Sequence, residues 1–101
     1  MSVVLCVTLW PNPGQEQTLV SYEDSVLALL PEHGARVVTR VRAETSAEGE
    51  AGEGHPFETQ VIELPDQAAL DAYLADPRRA AASDERGRAI ARTEIQRVTL
   101  T

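Results

Sequence analysis

The sequence predicts a small α+β domain with its elements in the order β-α-β-β-α-β, and three observations carry that expectation. Four runs rich in β-branched and apolar residues, at 3–10, 36–44, 57–64 and 93–100, are separated by stretches whose apolar residues recur at helical spacing. Chain breakers fall between the runs: Pro11 with Asn12-Pro13-Gly14, Pro31 with Gly34, Pro65-Asp66 and Asp76-Pro77. A chain of 101 residues has room for one domain, spanning 1–101. The order is that of a split β-α-β arrangement, in which four antiparallel strands carry helices on one face.

The first strand, Val3 to Trp10, places Val3, Leu5, Val7 and Leu9 on one face and Val4, Cys6, Thr8 and Trp10 on the other. Both faces are largely apolar, as in a central strand covered on both sides. From about Gln15 to Leu30, the apolar residues Leu19, Tyr22, Val26, Leu29 and Leu30 form a helical stripe. Pro31 turns Leu30 away from helical geometry, Gly34 completes the turn, and Thr18 or Ser21 is expected to cap the helix start, Ser21 with Asp24 three residues on.

Arg36 to Glu44 alternates as a second strand, with Val37, Thr39 and Val41 opposite Arg36, Val38, Arg40, Arg42 and Glu44. Residues 45–55 hold three glycines, three glutamates and His55 with nothing to anchor a core, so a long mobile loop is expected there. The third strand, Phe57 to Leu64, sets Phe57, Thr59 and Val61 against Glu58, Gln60, Ile62 and Leu64. Asp66 is a good N-cap for a helix bearing Leu70, Tyr73 and Leu74, which breaks at Asp76-Pro77. An alanine- and arginine-rich helical piece is expected over 78–92, before the last strand at 93–100.

One sheet face then lacks a cover, with Val4, Cys6, Trp10, Val38, Ile62, Val98 and Leu100 expected on it. A second copy covers it most economically, since a two-fold axis makes one patch self-complementary, and a homodimer is therefore expected. Sixteen acidic residues stand against nine basic ones, all arginine, for a net charge of −7. That balance argues against nucleic acid and anionic membrane surfaces as partners, and the lack of lysine excludes imine chemistry through a side-chain amine. Cys6 is the single cysteine, so no internal disulfide forms, and two histidines do not make a metal site within one chain. No signal sequence or bilayer-length apolar run is present, and a cytoplasmic location is the expectation.

The segments His33-Gly34-Ala35-Arg36-Val37-Val38-Thr39-Arg40 and Val61-Ile62-Glu63-Leu64-Pro65-Asp66-Gln67-Ala68-Ala69-Leu70-Asp71-Ala72-Tyr73-Leu74-Ala75-Asp76-Pro77-Arg78-Arg79, with Arg86 following, resemble the dimeric α/β-barrel superfamily of ferredoxin-like fold. Within it, the chain is similar to short stand-alone bacterial proteins of unknown function and, more distantly, to antibiotic-biosynthesis-type monooxygenases. Such proteins often carry an aromatic after the helix-closing proline, where this chain has Arg78 and Arg79. The resemblance implies a ferredoxin-like dimeric barrel and a range of activities, from cofactor-independent monooxygenases to lactone isomerases, haem-degrading enzymes and polyketide cyclases, without choosing among them.

Trp10 and Asn12 occupy a position where similar monooxygenases hold an aromatic substrate and its developing oxyanion; dimer packing and turn formation are the structural alternatives. Tyr22 and Tyr73 lie on the two helical stripes, facing the space between helices and sheet, where they orient a ligand or simply fill the core. Arg36, Arg40 and Arg42 form a row; Arg42 is expected to pair with Glu58, leaving Arg40 opposite a neutral Gln60 as the anchor for an anionic ligand. Glu63 is expected on the helix-facing side, near Arg97 and Arg86, as an ion pair or a general base. His55, at the loop edge, is the better placed of the two histidines for proton transfer, His33 lying in a turn.

The leading expectation is a cofactor-independent bacterial enzyme of monooxygenase, cyclase or isomerase type. His55, Glu63 and Tyr73 are its candidate catalytic residues, and Trp10, Asn12, Tyr22 and Arg40 bind a small aromatic, acidic or polyketide-like substrate. The alternative is a non-catalytic dimeric binding or accessory protein. A polar-lined cavity between Tyr22, Tyr73 and the first strand favours the enzyme, and a solid apolar core favours the alternative.

Overall fold

In the computed structural model, which describes residues 2–44 and 55–101, β1 (Val3–Pro11) lies inside a four-stranded antiparallel sheet of order β2-β3-β1-β4. Its neighbours are β3 (Glu58–Leu64) and β4 (Ile90–Val98), and β2 (Arg36–Arg42) forms one edge. Between β1 and β2 run α1 (Glu16–Leu27) and a 3₁₀ turn at Leu30–His33. Between β3 and β4 run α2 (Gln67–Leu74), α3 (Pro77–Ala81) and α4 (Ser83–Ala89). This is the expected ferredoxin-like α+β order, with the last helical region broken into three pieces. Of the loop expected at 45–55, all but His55 lies outside the described residues.

Two apolar clusters join the helices to one sheet face. Val3, Leu5, Ile62 and Leu64 meet Leu27, Leu30, Leu70 and Tyr73 at one end. Leu9 meets Leu19, Tyr22 and Val26 at the other, with Phe57, Ala89 and Ile90. Leu9, Leu19, Leu30 and Leu64 are at most 2% exposed, and burial of each such side chain is worth about 1.5–3 kcal/mol.

The helix ends follow local chemistry. Gly34 adopts φ +73°, the left-handed geometry that closes the 3₁₀ turn, with Pro65 only 3.4 Å from where a Cβ would stand. Asp66 caps α2 by accepting from the Ala69 N–H at 2.8 Å, and Asp76 caps α3 by accepting from the Arg78 N–H at 2.9 Å. At α1 the expected caps do not form: the Thr18 hydroxyl donates to Gln15 Oε1 at 2.9 Å, and Ser21 is exposed within the helix. β4 begins at Ile90 rather than Thr93, because Ile90 pairs with Pro11 across a bulge and is buried against α1.

The facing of β3 corrects the expectation for Glu63 and Ile62. Residues directly opposite across a sheet share a face. Val3 pairs with Leu64 and Leu5 with Ile62, so Ile62 points into the helix-side core, and Glu63, opposite Val4, points to the other face. There Glu63 accepts from Arg36 at 2.8 Å, while Arg97 lies on the helix side and donates to Gln67. The arginine row is also split. A bulge between Val37 and Thr39 inserts Val38 as an extra residue, which puts Arg36 beside Glu63 and turns Arg40 and Arg42 to the helix side.

Among the described residues, no helix is long and apolar enough to cross a membrane.

Candidate functional site

A cleft opens between the helices and the sheet, floored by Leu5, Val7, Leu9 and Ile62. Its polar walls come from five elements: Tyr22 and Glu23 on α1, Gln60 on β3, Tyr73 on α2, Arg79 on α3 and Arg86 on α4. Leu74 and Ile95 also line it, and both are more than half exposed. The unfilled space amounts to about 520 Å³ counted out into open solvent, and the cavity volume proper is about 70 Å³. The lining is mixed, with several polar groups set over an apolar floor.

Glu23 sits at the heart of the cleft. It follows Leu19 by four residues and precedes Leu27 by four, so it falls on the buried stripe of α1, and it is 6% exposed. Burial, followed by the charge of Glu58, pushes its carboxyl above the ordinary glutamate range, against the opposing pull of the Gln60 hydrogen bond, Arg79 and Arg40. Gln60 Nε2 donates to Glu23 Oε1 at 2.8 Å and to Glu58 Oε2 at 2.7 Å, one amide hydrogen for each carboxyl.

Glu58 is held in the opposite sense. Its side chain has no exposure, and burial alone pushes its carboxyl upward. Hydrogen bonds from Arg40 at 2.6 Å, from Gln60 and from Arg42 at 2.7 Å outweigh that push and leave it below the ordinary range. Arg40 also reaches Asp24 at 2.7 Å. The Arg42–Glu58 pair is the one expected from sequence. Arg40 differs from expectation, because Glu58, two residues along β3 from the neutral Gln60 opposite it, supplies the counter-charge.

Of the residues singled out from sequence, the structure brings Tyr22 and Tyr73 together in the cleft. Burial raises both phenols, Tyr73 to about 12, so each stays protonated across the physiological range. The Tyr73 hydroxyl donates to the Val26 carbonyl at 3.1 Å and its ring carries the Arg79 guanidinium at 4.6 Å, so its hydroxyl is engaged by the fold. The remaining candidates lie elsewhere. Trp10 is on the opposite sheet face beneath Arg92, 4.4 Å from the ring centroid. Asn12 Nδ2 donates to the carbonyls of Gly87 at 3.1 Å and Arg88 at 2.9 Å, tying the end of α4 to the end of β1. Glu63 is on the open face with Arg36, and His55 is exposed ahead of β3 and does not line the cleft. His33 reaches Asp76 at 2.9 Å and meets the Tyr73 ring edge-on, bracing α2 from outside. Arg78 and then His33 hold the Asp76 carboxyl well below its usual range.

The sequence pointed neither to Glu23 nor to a place in the cleft for Arg79 and Arg86, Arg86 being expected beside Glu63. A charge at helical spacing from Leu19 was the available signal for Glu23. The two arginines carried none, because their shared cleft forms only when the breaks at Ala75–Asp76 and Ala82 fold α3 and α4 back toward the sheet. Among the described residues, no group of three His, Cys, Asp or Glu side chains is placed to hold a metal ion.

Solved structures with this fold include a protein of unknown function from Rhodopseudomonas palustris, at TM-score 0.78 and 17% identity, covering 99% of this chain and 82% of that one. A candidate antibiotic biosynthesis monooxygenase from Caulobacter crescentus is similar at TM-score 0.76 and 16% identity, covering 99% and 90%. Another from Bacteroides thetaiotaomicron is similar at 0.73 and 14%, covering 98% and 89%. At these identities the likeness establishes the fold. No curated relative matches the sequence. Residues 11–98 match the family described as "Domain of unknown function (DUF1330)", and the chain belongs to that family.

Proposed function

We propose that the chain is a cofactor-independent enzyme that takes a proton from a small aromatic or enolisable compound held in the helix–sheet cleft. One observation carries the reading: two buried carboxyls bridged by one amide are pushed in opposite directions, Glu58 kept ionised by two arginines and Glu23 raised. Such a split sets a carboxyl that holds a proton more tightly than an ordinary glutamate beside one that stays ionised, the arrangement of an acid–base site. Glu23 is the base, Gln60 orients it, and Glu58 with Arg40 and Arg42 fixes Gln60. The Tyr22 phenol, which has no protein hydrogen-bond partner among the described residues, donates toward negative charge developing on substrate oxygen. Proton removal is the step shared by an isomerase, a cyclase and a cofactor-free monooxygenase, so the site geometry supports that step and leaves the following one to the substrate.

The test is exchange of substrate hydrogen for deuterium in D₂O, followed by proton NMR over single-ring phenols and enolisable ketones. Wild type is expected to accelerate exchange at carbon in at least one of them, and Glu23→Gln to slow it by about 10²-fold or more with the fold intact. Equal rates in the two proteins contradict the reading. A binding protein without turnover is the second reading, favoured by the structural pairing of Arg40, Asn12 and Glu63; it expects binding in the cleft and no exchange.

We further propose a homodimer through the sheet face away from the helices. Val41 on that face is 57% exposed, and Trp10 Nε1 there is buried without a hydrogen-bond partner among the described residues. A second sheet laid over the first covers Val41 and the rest of that face.

A further inference from the structure

We propose that Arg79 and Arg86 form a carboxylate-binding end to the cleft, so that the substrate is a small carboxylic acid carrying its reactive proton at the opposite end. This deepens the proton-transfer reading and rests on it for the role of Glu23. Five of the nine arginines, at 36, 40, 42, 78 and 92, make ion pairs with acidic side chains. In a chain with sixteen acids, pairing is the ordinary fate of a guanidinium. Arg79 and Arg86 have no carboxylate within 4 Å among the described residues, yet both line the one cleft that holds Glu23.

Both side chains are already oriented. Arg79 stands over the Tyr73 ring, 4.6 Å from its centroid, and one of its donors acts on the Tyr73 hydroxyl, which holds the guanidinium in the cleft wall without a carboxylate partner. Arg86 donates one N–H to Thr93 Oγ1 at 2.9 Å, which holds it against β4 with its other donors unspent. Both line the cleft together with Tyr22, on whose hydroxyl both positive charges act. A planar fork matches a carboxylate bidentately, and pre-oriented forks lose little freedom on binding. The whole chain carries a net charge of −7, so two guanidiniums without an ion-pair partner inside the cleft favour an anion against the field of the whole molecule.

Size narrows the class. A cavity of roughly 150 Å³ takes a benzene ring. The cleft volume here, about 70 Å³, is smaller than that, so one ring or a short chain enters only with part of its surface in the mouth against Leu74 and Ile95, and a fused polycycle does not enter. The apolar floor of Leu5, Val7 and Leu9 receives the body of the molecule, the carboxylate meets Arg79 and Arg86, and a phenolic or enolisable hydrogen faces Glu23.

The experiment compares para-hydroxybenzoate with its neutral isostere para-hydroxybenzamide as probes, by NMR titration of the full chain. The acid is expected to bind at least about tenfold more tightly than the amide, and Arg79→Gln and Arg86→Gln each to remove most of that preference while leaving amide binding unchanged. Arg79→Lys, which keeps the charge without the fork, is expected to recover only part of it. Equal binding of acid and amide to wild type, or binding of neither, overturns the proposal without any variant having to fold. An acid preference that survives both glutamine substitutions overturns it as well. Arginine-dependent acid binding with no Glu23-dependent exchange keeps the carboxylate site and refutes the proton-transfer reading; Glu23-dependent exchange of neutral phenols and ketones with no acid preference does the reverse.

Discussion

Gln60 shares its two amide hydrogens between Glu23 and Glu58, and that sharing couples the catalytic proposal to stability. Glu58 has a folded value below its unfolded one, so it contributes stability above the unfolded value, and this is lost as pH falls through the folded value. Glu23 runs the other way: its raised value makes ionisation a cost to folding at higher pH, absent once pH is below its unfolded value. Glu58→Gln removes the shared partner of Arg40 and Arg42, whose side chains are only 24% and 40% exposed. It is expected to destabilise the fold by about 2–4 kcal/mol at neutral pH, a loss that shrinks on acidification, measured by urea denaturation at two pH values. At this scale the sequence was partly legible. Arg42–Glu58 followed from strand pairing, whereas Glu23 was hidden because a lone acid within a stripe of Leu19, Tyr22 and Val26 reads as a surface residue until the helix is placed on the sheet.

At the scale of elements, strand order and breakers were legible because Pro11, Pro31, Pro65 and Pro77 punctuate runs with clear period. Facing was harder. β3 mixes Glu58 and Gln60 with Ile62 and Leu64 on its helix-facing side, while Thr59 and Val61 look more apolar than their true position on the other face warrants. Period alone therefore put Glu63 on the wrong side, and the register with β1 corrects it. The bulge at Val38 carries no glycine or proline to announce it, so Arg36 looked like a neighbour of Arg40. The three-piece path from α2 to α4 was foreseen only in part. The Asp76-Pro77 break was readable, but the step at Ala82, an ordinary helix former, depends on docking of α4 against α1 and on the carbonyls of Gly87 and Arg88 being held by Asn12.

At the scale of the molecule, one sheet face carries the helices and the cleft, and the other carries Trp10, Cys6, Thr59 and Val61 without a covering layer among the described residues. A dimer through that face leaves the cleft open, so assembly and catalysis are separable. Light scattering at micromolar concentration is expected to give twice the 11.0 kDa chain mass, with Trp10→Asp shifting it toward the monomer; a monomer mass for wild type contradicts the second-copy proposal. The central claim concerns the cleft itself, and the measurement that reaches it most directly is a site-resolved carbon NMR titration of the Glu23 and Glu58 carboxyls in one sample. Glu23 is expected to take up its proton above the ordinary glutamate range, Glu58 to stay ionised below it, and Glu23 to fall toward the ordinary range when Glu58 is replaced by glutamine. Two carboxyls titrating together at the ordinary value would contradict it, because the proposed base is the raised member of a split pair.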